Sequence, residues 1–560
     1  MNDFLLSWGI ISSSGLAQRC LLATATGVLI HLVYFIRGFH DTSAHGIFVA
    51  HTSIYTVLAV AAGFQNGFLS GFTTATAIFA SYLVGLFSSI IIYRIFFHRL
   101  RRFPGPLFAK MTKLYSPWTN RNDKMHLEQN KLFDIYGDIV RVGPNDLAIL
   151  STDALPTLHS SKSKCTKRHA GIYSVVHYNG TPNLDSITDR EEHRWRRQVW
   201  ERAMTTSAQA EYEKVTRTIC RTWLNKISSL NGGPIDTSLF SLLITFDHMG
   251  KVGFSHDFNT IQAGKEDHML TLLEVMFGQV AKVGEIAWPV ALVQGFNIGG
   301  EAAEFDELTK QMADTRERED SEDKKDIFKH LLADFRSEKP TAFFHRDVLY
   351  ADAGAILVGA TDTIAAALAY SFYQLAAHQD VQETLFDEIS PLFGKTVPGE
   401  FANADLSKVE YLDAVINESM RLDNPTTNAA ARMVPPEGIV VDGVFIPGGT
   451  SVRVPVFALQ RSEKYFVRAE EFIPERWTTK PEMVRDRAAF MPFNMGPNNC
   501  VGKRLAMMVL RLVLSYTTYH YQFGLAPGED GTAIHREAKN KLIIKAGPLK
   551  LVFARRDCGV

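Results

Sequence analysis

The chain has 560 residues, of which 46% are hydrophobic and 21% charged, and its 59 basic and 60 acidic side chains leave a formal net charge of −1. This hydrophobic fraction excludes a disordered chain, and the balanced charge excludes a protein that binds nucleic acid along its whole length. The 39 glycines and 22 prolines are scattered without a Gly-X-Y period, which excludes a collagen-like fibre.

The N-terminal region, residues 1–98, is predicted to anchor the chain in a membrane through one to three transmembrane helices. Residues 42–93 contain no Lys, Arg, Asp or Glu. Within them, residues 71–93 are the best predicted span, because a helix needs roughly 20 apolar residues to cross a bilayer. Residues 46–64 and 21–36 are two further candidates. A set of buried core helices is the alternative interpretation of these segments.

The basic residues that follow the best span predict its orientation. Arg94, Arg99, Arg101 and Arg102 come directly after it, and the positive-inside rule then places the rest of the chain in the cytosol. The first eight residues lack the basic region of a cleaved signal peptide. We therefore expect the spans to be retained, and three of them would place the N-terminus on the lumenal side.

Residues 99–106 are predicted to be a linker, because Pro104 and Pro106 flank a glycine and proline cannot continue a helix. Residues 107–560 are predicted to form one domain that is mainly α with a small β portion. Short strands are expected within residues 438–453, where β-branched runs lie between glycine turns. Helical periodicity marks residues 125–136, 190–204, 212–228, 344–378, 382–390 and 412–421.

Two other segments of this domain are less specific. Residues 316–329 form a mixed charge run, which predicts a solvated helix face or loop. Residues 286–292 are apolar between charged segments, so they are expected either to dip into the bilayer or to belong to the core.

The cysteines are few and dispersed. They are Cys20, Cys165, Cys220, Cys500 and Cys558, and no two of them form a CxxC pair. This spacing supports neither a disulfide framework nor a zinc site. We expect a reducing compartment for the main domain and a functional cysteine that acts alone.

Cys500 has the surroundings that a functional thiolate needs. It lies between Gly496 and Gly502, just before the apolar helical run of residues 505–510. A helix N-terminus stabilises a thiolate, and glycines allow a flat, bulky cofactor to approach the backbone. A haem iron with an axial cysteine requires this arrangement. A small buried cysteine in a turn is the alternative interpretation.

The spacing Phe493-x-x-Gly496-x-x-x-Cys500-x-Gly502 resembles the haem loop of the cytochrome P450 family. Three further motifs occur in that family's order, so the resemblance covers about residues 103–556. It implies the cytochrome P450 fold and a haem b cofactor, whose iron has the Cys500 thiolate as axial ligand. Phe493, Gly496 and Gly502 are expected to bind the same cofactor.

The first of these motifs is Glu418-x-x-Arg421, followed by Arg476 in the sequence Phe-Ile-Pro-Glu-Arg-Trp. Residues three apart share a helix face, and a second arginine can close a three-way charge cluster. The resemblance implies that this cluster locks the fold behind the haem. By itself, Glu-x-x-Arg is equally typical of a surface ion pair.

The second motif, residues 359–363 (GATDT), lies within a predicted helix. It resembles the family's distal helix, where dioxygen lies above small residues. The resemblance implies that Asp362 and Thr363 are catalytic and relay protons as an acid and a hydroxyl. Close helix packing is the alternative interpretation of the small residues.

The third motif is His193-x-x-x-Arg197, which puts two basic side chains on one helix face. The resemblance implies that both bind haem propionates together with Arg432, whereas a solvated basic helix is the alternative. The family usually has Arg or His two residues before the cysteine, but this chain has Asn498. Asparagine donates a hydrogen bond without charge, so this cofactor contact is expected to be weaker or carried by Arg197 and Arg432.

Together the motifs predict a monooxygenase that inserts one atom of O2 into an apolar small molecule, as a tailoring enzyme of secondary metabolism. The resemblance to microsomal members implies an endoplasmic reticulum membrane, a cytosolic catalytic domain and electrons from NADPH-cytochrome P450 reductase, with cytochrome b5 as a second donor. Lys503 and Arg504 are candidate contacts for an acidic partner. An oxygen-independent haem-thiolate isomerase or dehydratase and a non-catalytic haem sensor are the alternatives.

Overall fold

The structure is a computed structural model that describes residues 15–167, 178, 180–283, 286–296 and 300–557. Cys558 and the first eight residues, which bear on two of the predictions above, lie outside these ranges. The chain divides into two compact units. The first comprises residues 1–116, 141–146 and 285–298, and the second comprises the rest.

The described residues are mainly helical, as predicted. In chain order the α-helices are α1 (Leu16–Ile30), α2 (Ala44–Asn66), α3 (Phe68–Ile92), α4 (Leu107–Met111), α5 (Tyr115–Thr119), α6 (Met125–Tyr136), α7 (Ala154–His159), α8 (Arg190–Arg202), α9 (Thr206–Ser229), α10 (Thr237–Phe254), α11 (Thr260–Ala263), α12 (His268–Val283), α13 (Trp288–Gly295), α14 (Glu301–Arg318), α15 (Ile327–Phe335), α16 (Arg346–Ala377), α17 (Gln379–Ile389), α18 (Asn403–Leu406), α19 (Glu410–Leu422), α20 (Val456–Gln460), α21 (Lys503–His520) and α22 (Ala533–Arg536).

The strands are short, and they form small sheets and hairpins. They are β1 (Ile139–Gly143), β2 (Asp146–Ile149), β3 (Ile235–Asp236), β4 (Arg432–Met433), β5 (Ile439–Val441), β6 (Val444–Ile446), β7 (Ser451–Arg453), β8 (Tyr521–Leu525), β9 (Lys539–Lys541), β10 (Ile543–Lys545) and β11 (Lys550–Arg555). In the second unit β7 lies between β2 and β4, and β11 lies between β3 and β8. The strands β5 and β6 form one hairpin and β9 and β10 another, both antiparallel.

The three predicted spans correspond to helices α1, α2 and α3 of the first unit. With their flanking turns they form apolar segments at Leu16–Phe35, Asp41–Gln65 and Phe68–Phe97, each long enough to cross a membrane. At most 17% of the most apolar part of each segment is buried inside the protein. This exposure disfavours the interpretation as core helices, because an exposed apolar helix surface needs lipid or another partner.

Helices α1 and α3 touch through their backbones. A side-chain carbon at Gly27 would lie 2.2 Å from the carbonyl oxygen of Tyr82, and one at Gly85 would lie 2.1 Å from that of Thr24. The Thr24 hydroxyl also donates a hydrogen bond to the Ser81 carbonyl oxygen at 3.1 Å. Small residues and interhelical hydrogen bonds of this kind hold transmembrane helices together.

The apolar stretch at 286–292 also belongs to the first unit. Ile286 is buried, whereas Trp288 in α13 and Phe296 just after it are exposed over more than two fifths of their surface. The ring of Phe296 meets the ring of His45 edge to face, with centroids 4.6 Å apart. The stretch therefore begins in the core and continues along α2 with an exposed apolar surface.

The second unit is built around α16, a helix of 32 residues. This helix is also long and apolar enough to cross a membrane, but two thirds of its most apolar part is buried inside the protein. Leu357, Leu368 and Phe372 have no measurable exposure. Helix α16 is therefore the core helix on which the predicted distal motif lies.

The prediction of a solvated surface for the charge run at 316–329 is wrong for two of its residues, Arg316 and Asp326. Arg316 and Asp326 are buried, and Nε of Arg316 donates to the Asp326 carboxylate at 2.6 Å. Asp326 also caps the N-terminus of α15 by accepting from the Lys329 amide at 2.9 Å. Charge patterning alone did not show that these two groups pair with each other in the interior.

Candidate functional site

Residues 493–502, which we call the cysteine loop, lie before α21 and hold Cys500 by backbone hydrogen bonds. The Cys500 amide donates to the Phe493 carbonyl oxygen at 2.9 Å, and the Asn499 amide donates to that of Gly496 at 3.0 Å. Cys500 is an exposed residue as a whole, and desolvation by the protein around the sulfur raises the pKa of its thiol. The amides of Gly502 and Lys503 and the Arg197 guanidinium act in the opposite direction and favour the thiolate.

Gly496 is required by the geometry of this loop. Its φ is +69°, and a side-chain carbon there would lie 1.9 Å from the carbonyl oxygen of His159 at the end of α7. Gly502 differs, because its added carbon would meet only the Cys500 sulfur, at 3.8 Å. The first glycine therefore allows the loop to lie against α7, and the second leaves open space beside the sulfur.

The predicted three-way charge cluster is present and fully buried. Glu418 accepts two bonds of 2.9 Å from Arg421 on the same helix, and one of 2.8 Å from Nε of Arg476. The Trp477 indole and the Ile473 amide complete the shell around the carboxylate at 2.9 and 3.0 Å. Because every oxygen is paired, the cluster joins α19 to the segment that precedes the cysteine loop.

Four basic side chains gather near the cysteine loop, three of them predicted. Lys167, Arg197 and Arg432 all lower the pKa of His193, which burial brings to about 4. Arg197 donates to the carbonyl and amide oxygens of Asn499 at 2.5 and 2.8 Å. Arg432 is buried on β4. We call Lys167, His193, Arg197 and Arg432 the cation cluster.

The cation cluster and the cysteine loop fit a haem. Positive charges that lie close enough to lower the pKa of the buried His193 are stabilised by an anion, and a haem carries two propionate carboxylates. The backbone amides of Gly502 and Lys503 favour the thiolate form of Cys500, which fits an axial ligand. On α16, a side-chain carbon at Gly359 would meet no atom within 4 Å. These residues therefore fit the ligand, the carboxylates and the flat shape of the cofactor.

Asp362 and Thr363 on α16 contact groups outside the cysteine loop and the cation cluster. The Thr363 hydroxyl donates to the Gly359 carbonyl oxygen at 2.9 Å, one turn back along α16. Asp362 lines a recess of about 350 Å³ together with Glu274, Lys541 and Lys545. Burial raises the pKa of Asp362 to about 6, although the Lys545 ammonium lowers it.

The walls of this recess carry a charge network. Lys541 and Lys545 of the β9–β10 hairpin donate to Glu274 of α12 at 2.8 and 2.6 Å. Asp362 therefore lines a recess with charged walls, and its pKa of about 6 allows its carboxyl group to exchange protons near neutral pH. No motif in the sequence marked Glu274, Lys541 or Lys545, since Glu274 and Asp362 are far in the chain from the hairpin that carries the two lysines.

The sequence analysis also missed two residues near the cysteine loop, Lys167 and His159. Lys167 is buried and donates to the Asp185 carbonyl oxygen at 2.6 Å. His159, the last residue of α7, is buried, and its carbonyl oxygen lies against Gly496 of the cysteine loop. A basic run at 162–168 was the only available signal for Lys167. For His159 there was none, because a single histidine has no pattern.

Comparison with known proteins gives consistent matches. The sequence model of the family described as Cytochrome P450 matches residues 104–553. Cytochrome P450 monooxygenase FCK2 of Fusarium pseudograminearum is 34% identical over 95% of this chain and 96% of its own length. Cytochrome P450 monooxygenase phqL of Penicillium fellutanum is 30% identical over 98% of this chain and 97% of its own length. Tryprostatin B 6-hydroxylase of Aspergillus fumigatus is 31% identical over 85% of this chain and 84% of its own length.

Proposed function

This chain belongs to the cytochrome P450 family, and from that membership we propose that it is a haem-thiolate monooxygenase with Cys500 as the axial ligand. The observation that carries the proposal is the cysteine loop, in which Cys500 lies between Gly496 and Gly502, the backbone amides of Gly502 and Lys503 favour the thiolate, and the cation cluster lies nearby. When bound, the haem would supply O2 activation, which an axial thiolate promotes.

The cation cluster is proposed to hold the haem by its two propionates. His193, Arg197 and Arg432 were predicted for this role, and Lys167 joins them because its buried ammonium lies close enough to lower the pKa of His193. Phe493, Gly496, Asn498 and Gly502 are proposed to bind the cofactor from the cysteine loop. Glu418, Arg421 and Arg476 are proposed to hold that loop in place.

Asp362 is proposed to deliver protons from the recess toward the Thr363 hydroxyl. A carboxyl group with a pKa of about 6 exchanges protons readily near neutral pH. Glu274, Lys541 and Lys545 keep the recess polar, so water can reach the acid. A monooxygenase needs such protons, whereas an isomerase or a haem sensor does not.

The proposed substrate is an apolar small molecule of secondary metabolism, since one relative is named for hydroxylation of tryprostatin B. The proposed location is the endoplasmic reticulum membrane, with residues 1–98 as anchor, 99–106 as linker and 107–560 as a cytosolic catalytic domain. The proposed electron donors are NADPH-cytochrome P450 reductase and cytochrome b5. The exposed side chains of Lys503 and Arg504 support docking of an acidic partner.

The first test is the difference spectrum of dithionite-reduced membranes with carbon monoxide. We expect the red-shifted Soret band of thiolate-ligated haem in the wild type and its loss in Cys500→Ser. Cys20→Ser is the matched control, because it removes a free thiol outside the site. A band of the histidine-ligated type in the wild type would contradict the proposal.

The second test separates a monooxygenase from a sensor. With added reductase, NADPH and ¹⁸O-labelled dioxygen, we expect one labelled oxygen atom in the product of an apolar substrate library. Labelled water as the other product balances the two electrons and two protons consumed. NADPH oxidation that never responds to any substrate would favour the sensor.

A further inference from the structure

His159 is a buried histidine without a hydrogen-bond partner. Its exposure is 2%, and neither Nδ1 nor Nε2 has a partner among the described residues. Buried polar groups are nearly always satisfied, because an unmet donor or acceptor is costly in the protein interior. An imidazole with both nitrogens unpaired therefore indicates a partner that the described residues do not supply.

The position of His159 shows where that partner would lie. Its backbone presses on the cysteine loop, where a side-chain carbon at Gly496 would be 1.9 Å from the His159 carbonyl oxygen. Farther along the same segment, Thr166 and Met433 exchange two backbone hydrogen bonds of 3.1 and 2.8 Å. These contacts place the segment from α7 to Lys167 between the cysteine loop and β4, the strand that carries Arg432.

The electrostatic surroundings of His159 agree with this placement. Burial and, to a smaller extent, the positive charge of Arg432 together lower the pKa of His159 to about 3. The same guanidinium lowers the pKa of His193 on α8. The two histidines thus lie within range of one buried arginine, so an anion at Arg432 would be within the electrostatic reach of both.

We propose that His159 donates a hydrogen bond to a haem propionate and thereby replaces the charged residue that is missing at Asn498. The inference rests on the proposed function, since it requires the haem. Asn498 is half-buried in the turn Gly496–Asn498 and brings no charge. The His159 backbone lies against the same turn, and its buried imidazole lies within the electrostatic reach of Arg432, so a carboxylate bound by Arg432 would lie near it. It is a cofactor-binding residue rather than a catalytic one.

A bound propionate would also change the protonation of His159. An adjacent carboxylate favours the imidazolium form, which donates from both ring nitrogens. The cysteine loop would then regain the positive charge that position 498 does not provide. Removing this charge leaves the propionate less neutralised, which stabilises the ferric haem and lowers its reduction potential.

The experiment compares His159→Phe with the wild type in the full-length protein loaded with haem. The measurements are the rate of haem transfer to excess apomyoglobin and the reduction potential. We expect His159→Phe to release haem about tenfold faster, which corresponds to about 1.4 kcal/mol, and to have a lower potential. His159→Leu is a second nitrogen-free variant in case the first does not fold.

Two further variants separate a hydrogen bond from simple packing. His159→Gln keeps an N–H donor and is expected to release haem at a rate within threefold of the wild type. His248→Phe is the matched control, because His248 is fully buried in α10 and bonds to Thr216 at 3.0 Å. It is expected to change thermal stability without changing the potential.

The double variant His159→Phe with Asn498→His tests the replacement itself. Histidine at 498 is expected to restore slow haem release, because it returns a basic side chain to the loop. Release from His159→Phe within twofold of the wild type would overturn the proposal. So would an equal acceleration in the glutamine and phenylalanine variants. If the wild type shows no thiolate-type spectrum, the proposed function has failed instead, and the two failures are distinguishable.

Discussion

Arg421 donates its Nε and Nη2 to the two oxygens of Glu418, both at 2.9 Å, from three residues away on α19. Neither side chain has any exposed surface. The remaining guanidinium nitrogen of Arg421 bonds to the carbonyl oxygens of Gln460 and Ala469 at 2.8 and 2.6 Å. A fork-to-fork pair with every donor used fixes the loops around it far more rigidly than an exposed ion pair does.

Glu418→Gln should therefore be strongly destabilising. The substitution leaves Arg421 and Arg476 buried without their counter-charge, which costs about 3–5 kcal/mol. We expect little folded protein and a large drop in the unfolding midpoint. Glu437→Gln is the control, since Glu437 forms an exposed pair with Lys164 and should change stability by less than about 1 kcal/mol. Equal midpoints for the two variants would contradict this account.

Asp362→Asn should make stability less dependent on pH. The folded protein holds the Asp362 proton up to a pKa of about 6, against 3.8 ordinarily, so the free energy of unfolding falls as pH rises through that interval. An asparagine does not titrate. We expect the variant to gain about 1–2 kcal/mol relative to the wild type between pH 5 and pH 8, measured by urea unfolding.

The same variant should lose turnover. Removing a general acid slows proton delivery by about 10²-fold or more, and we expect NADPH to be consumed with little product. Asp306→Asn is the matched control, because burial raises the pKa of Asp306 to about 6 as well. The stability of Asp306→Asn should depend less on pH, as in Asp362→Asn, but its turnover should equal that of the wild type. Full turnover in Asp362→Asn would exclude its proposed role.

Gly496→Ala should disrupt the cysteine loop more than an alanine in the left-handed region does elsewhere. A left-handed residue other than glycine costs about 1–2 kcal/mol, and here the added carbon would also overlap the His159 carbonyl oxygen. We expect low haem content, measured as the ratio of haem to protein. Gly443→Ala measures the cost of the left-handed backbone alone, since its φ is +74° and no atom lies within 4 Å of the added carbon. Similar haem content in both variants would refute the role of this contact.

The anchor should cross the membrane three times. Helices α1, α2 and α3 are each long and apolar enough, and an odd number of spans places the two ends of the chain on opposite sides. A glycosylation acceptor fused to the N-terminus should be modified in microsomes, while one fused to the C-terminus should not. An unmodified N-terminal acceptor would show an even number of spans or a different orientation.

Local patterns predicted most of the secondary structure of this protein. The segment at 125–136 is α6 to the residue, and the segment at 344–378 differs from α16 by two residues at its start and one at its end. Hydrophobic periodicity and turn residues act over neighbouring positions, so they can be read along the chain. The family followed from four short motifs in order, and the match at 104–553 confirms it.

The sequence by itself determined the family, the charge cluster of Glu418 and the apolar character of the N-terminal helices, because each is encoded by residues close together in the chain; the role of Cys500 stays a prediction. Only the tertiary structure decided which distant groups meet. It placed Glu274, Lys541 and Lys545 around Asp362, paired Arg316 with Asp326, and left His159 buried beside the cysteine loop. Burial and long-range contacts depend on how helices pack, and no local spacing records that packing.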